Sequence, residues 1–239
     1  VRALLIERGA KHDDGQTFRQ VSLGRYLGSL KPARGGDAVG VIVAQGEISD
    51  GREPPGRVGG LSTAQLVRQA REDENIKAVV LRVNSPGGSA FGRELVRREL
   101  ELTRAAGKPV VVSMGDVAAS GGHWVAMAAD EVSADEATIT GSIGVFAVIP
   151  SFERTLQNIG VGADGIRTTP LSGQPDLFGG INEQFDGIAQ TSVEDIYARF
   201  TGLVAESRKL PVERVREIAE GRVWAGGTAR QLGLVDAFG

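Results

Sequence analysis

Cysteine is absent from the sequence, which excludes disulfides, thiolate metal sites and a cysteine nucleophile together. Histidine occurs only twice, at His12 and His123, too few for a multi-histidine metal centre. No apolar run reaches the length that a membrane helix needs, and no signal peptide is visible. The lysines and arginines are scattered and the net charge is −3, so nothing supports a nucleic-acid partner. The chain begins at Val1 rather than methionine. It is read as a processed or excised piece of something longer, with any targeting segment in the missing part.

What is present suits an ordinary soluble globular protein. Its 239 residues, 41% hydrophobic and 24% charged, can bury a sizeable core in one large α/β domain or two small ones. Residues 1–36 are polar and broken by glycine and proline ("KHDDGQTFRQ", "KPARGG"), and read as a lead-in or linker with one weak helix. Residues 37–239 form the domain proper. "AVGVIVAQGEI", "KAVVLRVN", "KPVVVSMG", "EVSAD" and "SIGVFAVI" read as strands. "LSTAQLVRQAREDENI" reads as an amphipathic helix with Leu61, Leu66 and Ala70 on one face. "GRELVRRELELTRAAG" is a helix closed by Gly107, and "SFERTLQNIG" one capped by Ser151 and closed by Gly160. "SGGHWVAMAAD" is a short apolar helix. Residues 182–209 form a long helix, "PVERVREIAEG" another with Pro211 in its first turn, and "TARQLGLVDAFG" a short helix and terminal strand. The alternation predicts parallel βαβ units with right-handed crossovers, followed by a helical extension.

Two stretches carry chemistry. In "LRVNSPGGSA", Gly87 and Gly88 follow a strand and precede a helix. Paired glycines permit positive φ and close approach to backbone amides, and the helix adds its positive end, which suits an anion or a developing oxyanion. A lone Gly-Gly is equally a tight turn, and this one matches neither a dinucleotide fingerprint nor a P-loop. One βαβ unit later, "SMGDVAASGGHW" sets Ser120 between a strand and an apolar helix, among Ala118, Ala119, Gly121 and Gly122. Ser120 alone would be read as a helix cap. In a parallel sheet, however, loops after neighbouring strands open on one edge, where ligands bind. A nucleophile (Ser120) and oxyanion donors (the amides of Gly87, Gly88 and Gly121) can then face one cleft. No cofactor or metal is called for.

A serine nucleophile needs a base. His123 lies three residues on, and reads as an ordinary packed or surface histidine. Of the five lysines, Lys77 and Lys108 stand at the far ends of strands roughly 20 Å from the site, at ~3.3 Å per residue. Lys11 and Lys31 lie in the lead-in, and Lys209 ends a long helix. Arg167 cannot serve, because a guanidinium does not deprotonate in proteins. No base within the chain is therefore expected.

"LRVNSPGGS", "GKPVVVSMG", "AASGG", "TGSIGV" and "GRVWAGGTARQLGLVDAFG" together resemble the signal peptide peptidase A family, from about Ala38 to Gly239. The resemblance implies a ClpP/crotonase-like α/β fold and a serine peptidase using a Ser–Lys dyad. It implies cleavage of remnant signal peptides at a membrane surface and assembly into a homo-oligomer. The family's serine falls on Ser120, and its oxyanion-hole glycines on Gly87 and Gly88. Short members carry their lysine soon after "TGSIG". Here that stretch is "GADGIRTTPLSG", with Arg167 where the lysine would fall. This resembles the C-terminal half of the long two-copy members, whose N-terminal half supplies the lysine. It implies a membrane-anchored full-length protein with its catalytic part outside the cytoplasm, on the periplasmic face, and a fragment that is soluble and inactive alone. Two other readings stand beside it. One is a catalytically silent scaffold domain of the same fold. The other is a crotonase-type enzyme acting on acyl-CoA thioesters, which would need no serine nucleophile.

Overall fold

The computed structural model of the chain describes residues 7–8, 12, 20–29 and 36–239. Most of the lead-in, with Lys11 and Lys31, lies outside the described residues. Within residues 1–37 one helix is described, α1 (Leu23–Ser29). The remainder, Ala38–Gly239, forms a separate compact unit.

In that unit the elements run β1 (Ala38–Gln45), β2 (Ile48–Ser49), β3 (Val58–Gly59), α2 (Gly60–Glu72), β4 (Ile76–Ser85), α3 (Ala90–Ala105), β5 (Val110–Ala119), α4 (Gly121–Ala126) and β6 (Glu131–Ala134). They continue as β7 (Ile139–Gly141), α5 (Glu153–Asn158), α6 (Glu183–Arg208), α7 (Val212–Ile218), β8 (Val223–Ala225), α8 (Gly226–Gln231) and β9 (Ala237–Phe238). Runs of valine, isoleucine and leucine in β1, β4 and β5 suit parallel strands. The main sheet has the order β1-β4-β5-β6-β9, all parallel. β7 runs parallel to the end of β5, and β8 lies antiparallel to β7. One face of the sheet carries Ile42, Leu81, Val83, Val112 and Met114 into the core, where Val67 of α2 and Val96 and Leu100 of α3 meet them. Among the described residues no helix is long and apolar enough to cross a membrane.

The βαβ plan and the C-terminal helices appear as expected, and five details differ. Leu61 and Leu66 of α2 are exposed, and Thr63, Ala64, Val67 and Ala70 form the buried face. Small side chains on that face let the helix lie close to its neighbours. "SIGVFAVI" is not a strand: the chain leaves the sheet after Gly141, and Phe146 and Val148 are exposed. Ser151 is not a cap, since Phe152 immediately precedes α5. Pro211 stands at the N-cap of α7, one position before the first helical residue. The three-residue strand β8 was not anticipated, because its pairing with β7 is long-range.

Candidate active site

β4 and β5 are neighbours with Ser85 in register with Ala118, so the loops that follow them emerge on the same sheet edge. Gly87 (φ 107°) and Gly88 (φ 140°) occupy backbone regions open mainly to glycine. Space makes the same demand. A Cβ on Gly87 would lie 2.6 Å from the Gly121 amide nitrogen and 2.9 Å from Ser120 Cβ, and one on Gly88 would run into the carbonyl of Ile48. β2 pins this turn: the Ile48 N–H donates to Gly87 O at 2.8 Å, and the Ser89 N–H to Ile48 O at 2.8 Å.

Ser120, between β5 and α4, has φ 51° and ψ −113°, a conformation that costs an L-residue energy and persists only where the surroundings enforce it. Here its N–H donates to Gly141 O of β7 at 2.9 Å, and its carbonyl accepts from the Trp124 N–H at 2.9 Å. Ser120 holds the N-cap position of α4, yet its side chain makes no capping hydrogen bond. It borders a cavity of about 940 Å³ together with Gly87 and Gly88. The structure thus brings Gly87, Gly88, Ser120 and Gly121 together. The Gly87 N–H already donates to Ser85 Oγ at 3.1 Å, which leaves Gly88 and Gly121 as candidate donors to an oxyanion.

His123 is fully buried and does not border this cavity. Thr140 Oγ1 donates its single proton to Ala118 O at 2.7 Å. It must therefore accept in its 3.1 Å contact with His123 Nδ1, which carries the ring proton. Nε2 is buried without a partner. Burial first, then the charge of Arg208, pushes the pKa down to about 3. His123 is a neutral core residue that ties α4 to β7.

The described lysines stand elsewhere. Lys108 Nζ donates to Ala70 O and Asp73 O at 3.0 and 2.6 Å, closing the C-terminal end of α2. Lys209 is the left-handed C-cap of α6 (φ 54°), and Lys77 lies on β4. None of the three borders the Ser120 cavity. Arg167 does not border it either; it pairs with Asp176, whose carboxylate also accepts the amides of Phe178 and Gly179.

Val117 and Ala118, which precede Ser120, do not border the cleft. Its apolar wall is instead Val145, Phe146 and Ala147 after β7, with Val193 and Ile196 of α6. Ser142 (φ 51°), Glu47, Glu220 and Arg93 also border it and were not anticipated as site residues. Ser142 lies within "TGSIGV", which was singled out only as a motif. Arg93 reads in the sequence as one more polar residue of α3.

The model of "Peptidase family S49" matches residues 103–239. "Protease 4" of Salmonella typhi is 48% identical over 223 residues, 93% of this chain and 36% of that protein. "Protease 4" of Haemophilus influenzae is 45% identical, covering 84% and 32%. "Serine protease SPPA, chloroplastic" of Arabidopsis thaliana is 36% identical, covering 86% and 31%. The chain thus spans about a third of the length of these relatives. Among solved structures, a ClpP1 mutant from Listeria monocytogenes superposes with TM-score 0.55 at 13% identity, over 83% of this chain and 90% of that one. That likeness gives the ClpP/crotonase-like fold. The sheet, the glycine-lined Ser120 turn and these relatives lead to one conclusion: the chain belongs to peptidase family S49, the signal peptide peptidase A family whose motifs it carries.

Proposed function

We propose that this domain carries the nucleophile of a Ser–Lys endopeptidase, with Ser120 as nucleophile and the lysine supplied by another domain or chain. The supporting observation is the Ser120 turn, held at positive φ with its hydroxyl free of capping and the Gly87 backbone packed against it. A serine on a sharp strand-to-helix turn presents its Oγ to a cleft.

In this reading a neutral lysine amine takes the Ser120 proton while Oγ bonds to the peptide carbonyl carbon. The Gly88 and Gly121 amides receive the oxyanion, a contribution typically worth ~10²–10³ in rate per donor. The C–N bond then breaks, and the lysine passes its proton to the leaving amine. Water attacks the acyl ester, giving up a proton to the lysine, and Oγ leaves as the restored hydroxyl. The apolar wall of Val145, Phe146 and Ile196 suits the side chains of remnant signal peptides. In this reading the full-length protein contains a second, lysine-bearing copy, is anchored in the membrane with its catalytic part on the periplasmic face, and works as an oligomer; the relatives, about three times as long as this chain, have room for such a copy. The isolated domain is then inactive.

Hydrolysis of an apolar signal-sequence peptide by the full-length assembly tests the reading. Ser120→Ala is expected to lower kcat by roughly 10⁴-fold or more. Turnover that survives the substitution sinks the serine mechanism and favours crotonase-type chemistry. An assembly inert in both forms is a scaffold.

A further inference from the structure

Arg93 is 4% exposed, and its guanidinium makes no hydrogen bond or ion pair among the described residues. Its Nε is sealed from solvent without an acceptor. None of the carboxylates that border the same cavities, Glu47, Glu94, Asp195, Glu206 and Glu220, hydrogen-bonds to it, and Glu94 acts on it only through space. Glu94 accepts from Arg97 at 2.7 and 2.8 Å and from Trp124 Nε1 at 2.8 Å, and Asp195 pairs with Arg199 at 2.8 Å. The guanidinium carbon lies 4.2 Å from the Trp124 ring centroid and 5.4 Å from that of Phe200. Those aromatic faces steady a cation without neutralising it. A buried guanidinium with no hydrogen-bonded counterion is costly, and such groups are ordinarily paired.

Position suggests what pairs it. Arg93 borders the Ser120 cavity and also the adjoining cavity of about 560 Å³ between α3 and α6. A Cβ on Gly121, the residue after Ser120, would lie 3.3 Å from Arg93 Cδ. A group held by this guanidinium therefore belongs to a part of the peptide near the scissile carbonyl. The planar fork of arginine matches a carboxylate with two parallel hydrogen bonds. The anions that an unmodified peptide can bring are carboxylates, on acidic side chains or at its C-terminus.

We infer that Arg93 is a substrate-recognition residue that binds a carboxylate of the peptide beside the Ser120 cleft. This rests on the peptidase reading above. It makes the cleft selective for peptides bearing a negative charge close to the cleaved bond, on top of their apolar side chains. Arg93 touches substrate away from the reacting atoms, so its effect falls on KM.

The test uses the full-length protein and three apolar peptides of one sequence. One has a free C-terminus close to the cleavage site and no acidic side chain, one is amidated with Glu near that site, and one is amidated with Gln there. We expect one or both carboxylate peptides to have a KM lower than the neutral peptide by roughly tenfold or more, with kcat little changed. Whichever is favoured identifies the source of the carboxylate. Arg93→Gln removes the preference, and Arg93→Lys retains part of it. Equal KM for all three peptides on the unsubstituted protein overturns the proposal, and that comparison needs no variant to fold. A uniform loss across the peptides in Arg93→Gln likewise overturns it, because a merely structural arginine behaves that way. Binding of the same peptides to Ser120→Ala separates this inference from the nucleophile assignment. A carboxylate preference there upholds Arg93 whatever becomes of turnover, and equal binding overturns it.

Discussion

Gly87 and Ser120 are a matched pair at the residue scale. The absence of a side chain at Gly87 lets the Gly121 amide and Ser120 Cβ approach within the space a methyl group would fill. Gly87→Ala should therefore displace the Ser120 turn, and displacements of about an ångström at a reacting group cost ~10²-fold in rate. We expect peptide hydrolysis by the full-length enzyme to fall by at least that factor. His123 makes a different demand. Its pKa is about 6.5 in the unfolded chain and about 3 in the folded one, so the unfolded state takes up the proton first as pH falls. Stability from this residue is whole above about pH 6.5 and is lost progressively toward about pH 3. Urea unfolding between about pH 7 and about pH 4 should show this slope, and His123→Gln should flatten it. The glycines and Ser120 were legible in the sequence because turn chemistry is local. Arg93 was not, since nothing in "FGRELV" reveals that its helix turns that side chain toward Trp124 and the cavity.

Elements are joined by a few charged clamps between apolar layers. Glu99 of α3 is buried and accepts from Arg68 at 2.6 Å and Arg71 at 3.1 Å, both on α2. Arg68 is more than half exposed, which screens its share of the attraction. Glu99→Gln should cost about 1–3 kcal/mol, read as a lower melting temperature, with KM unchanged because the clamp lies away from the cleft. Strand and helix alternation could be read directly from the sequence, but the side an element shows to the core could not always be. Leu61 and Leu66 satisfy a helical period, yet the close fit of α2 favours its small residues and turns the leucines outward. "SIGVFAVI" has the apolar content of a strand, but after Gly141 it forms a cleft wall. Composition does not distinguish a surface buried by the sheet from one reserved for a ligand.

For the whole molecule, the decisive feature is that Ser120 and the glycine turn share one cavity, which no lysine among the described residues borders. The places of Lys77 and Lys108 were legible from their spacing, because a strand's length separates each from the edge where Ser120 lies. What supplies the base could not be read here, since the chain covers about a third of its relatives. Reaction of the full-length assembly with a fluorophosphonate, followed by peptide mapping of the adduct, bears on this without any assumption about substrate. We predict one adduct, on Ser120, that disappears when the lysine of the other copy is replaced by alanine. Hydrolysis that proceeds while Ser120 stays unmodified, or labelling of Ser120 that is indifferent to that lysine, would contradict a dyad completed from outside this domain.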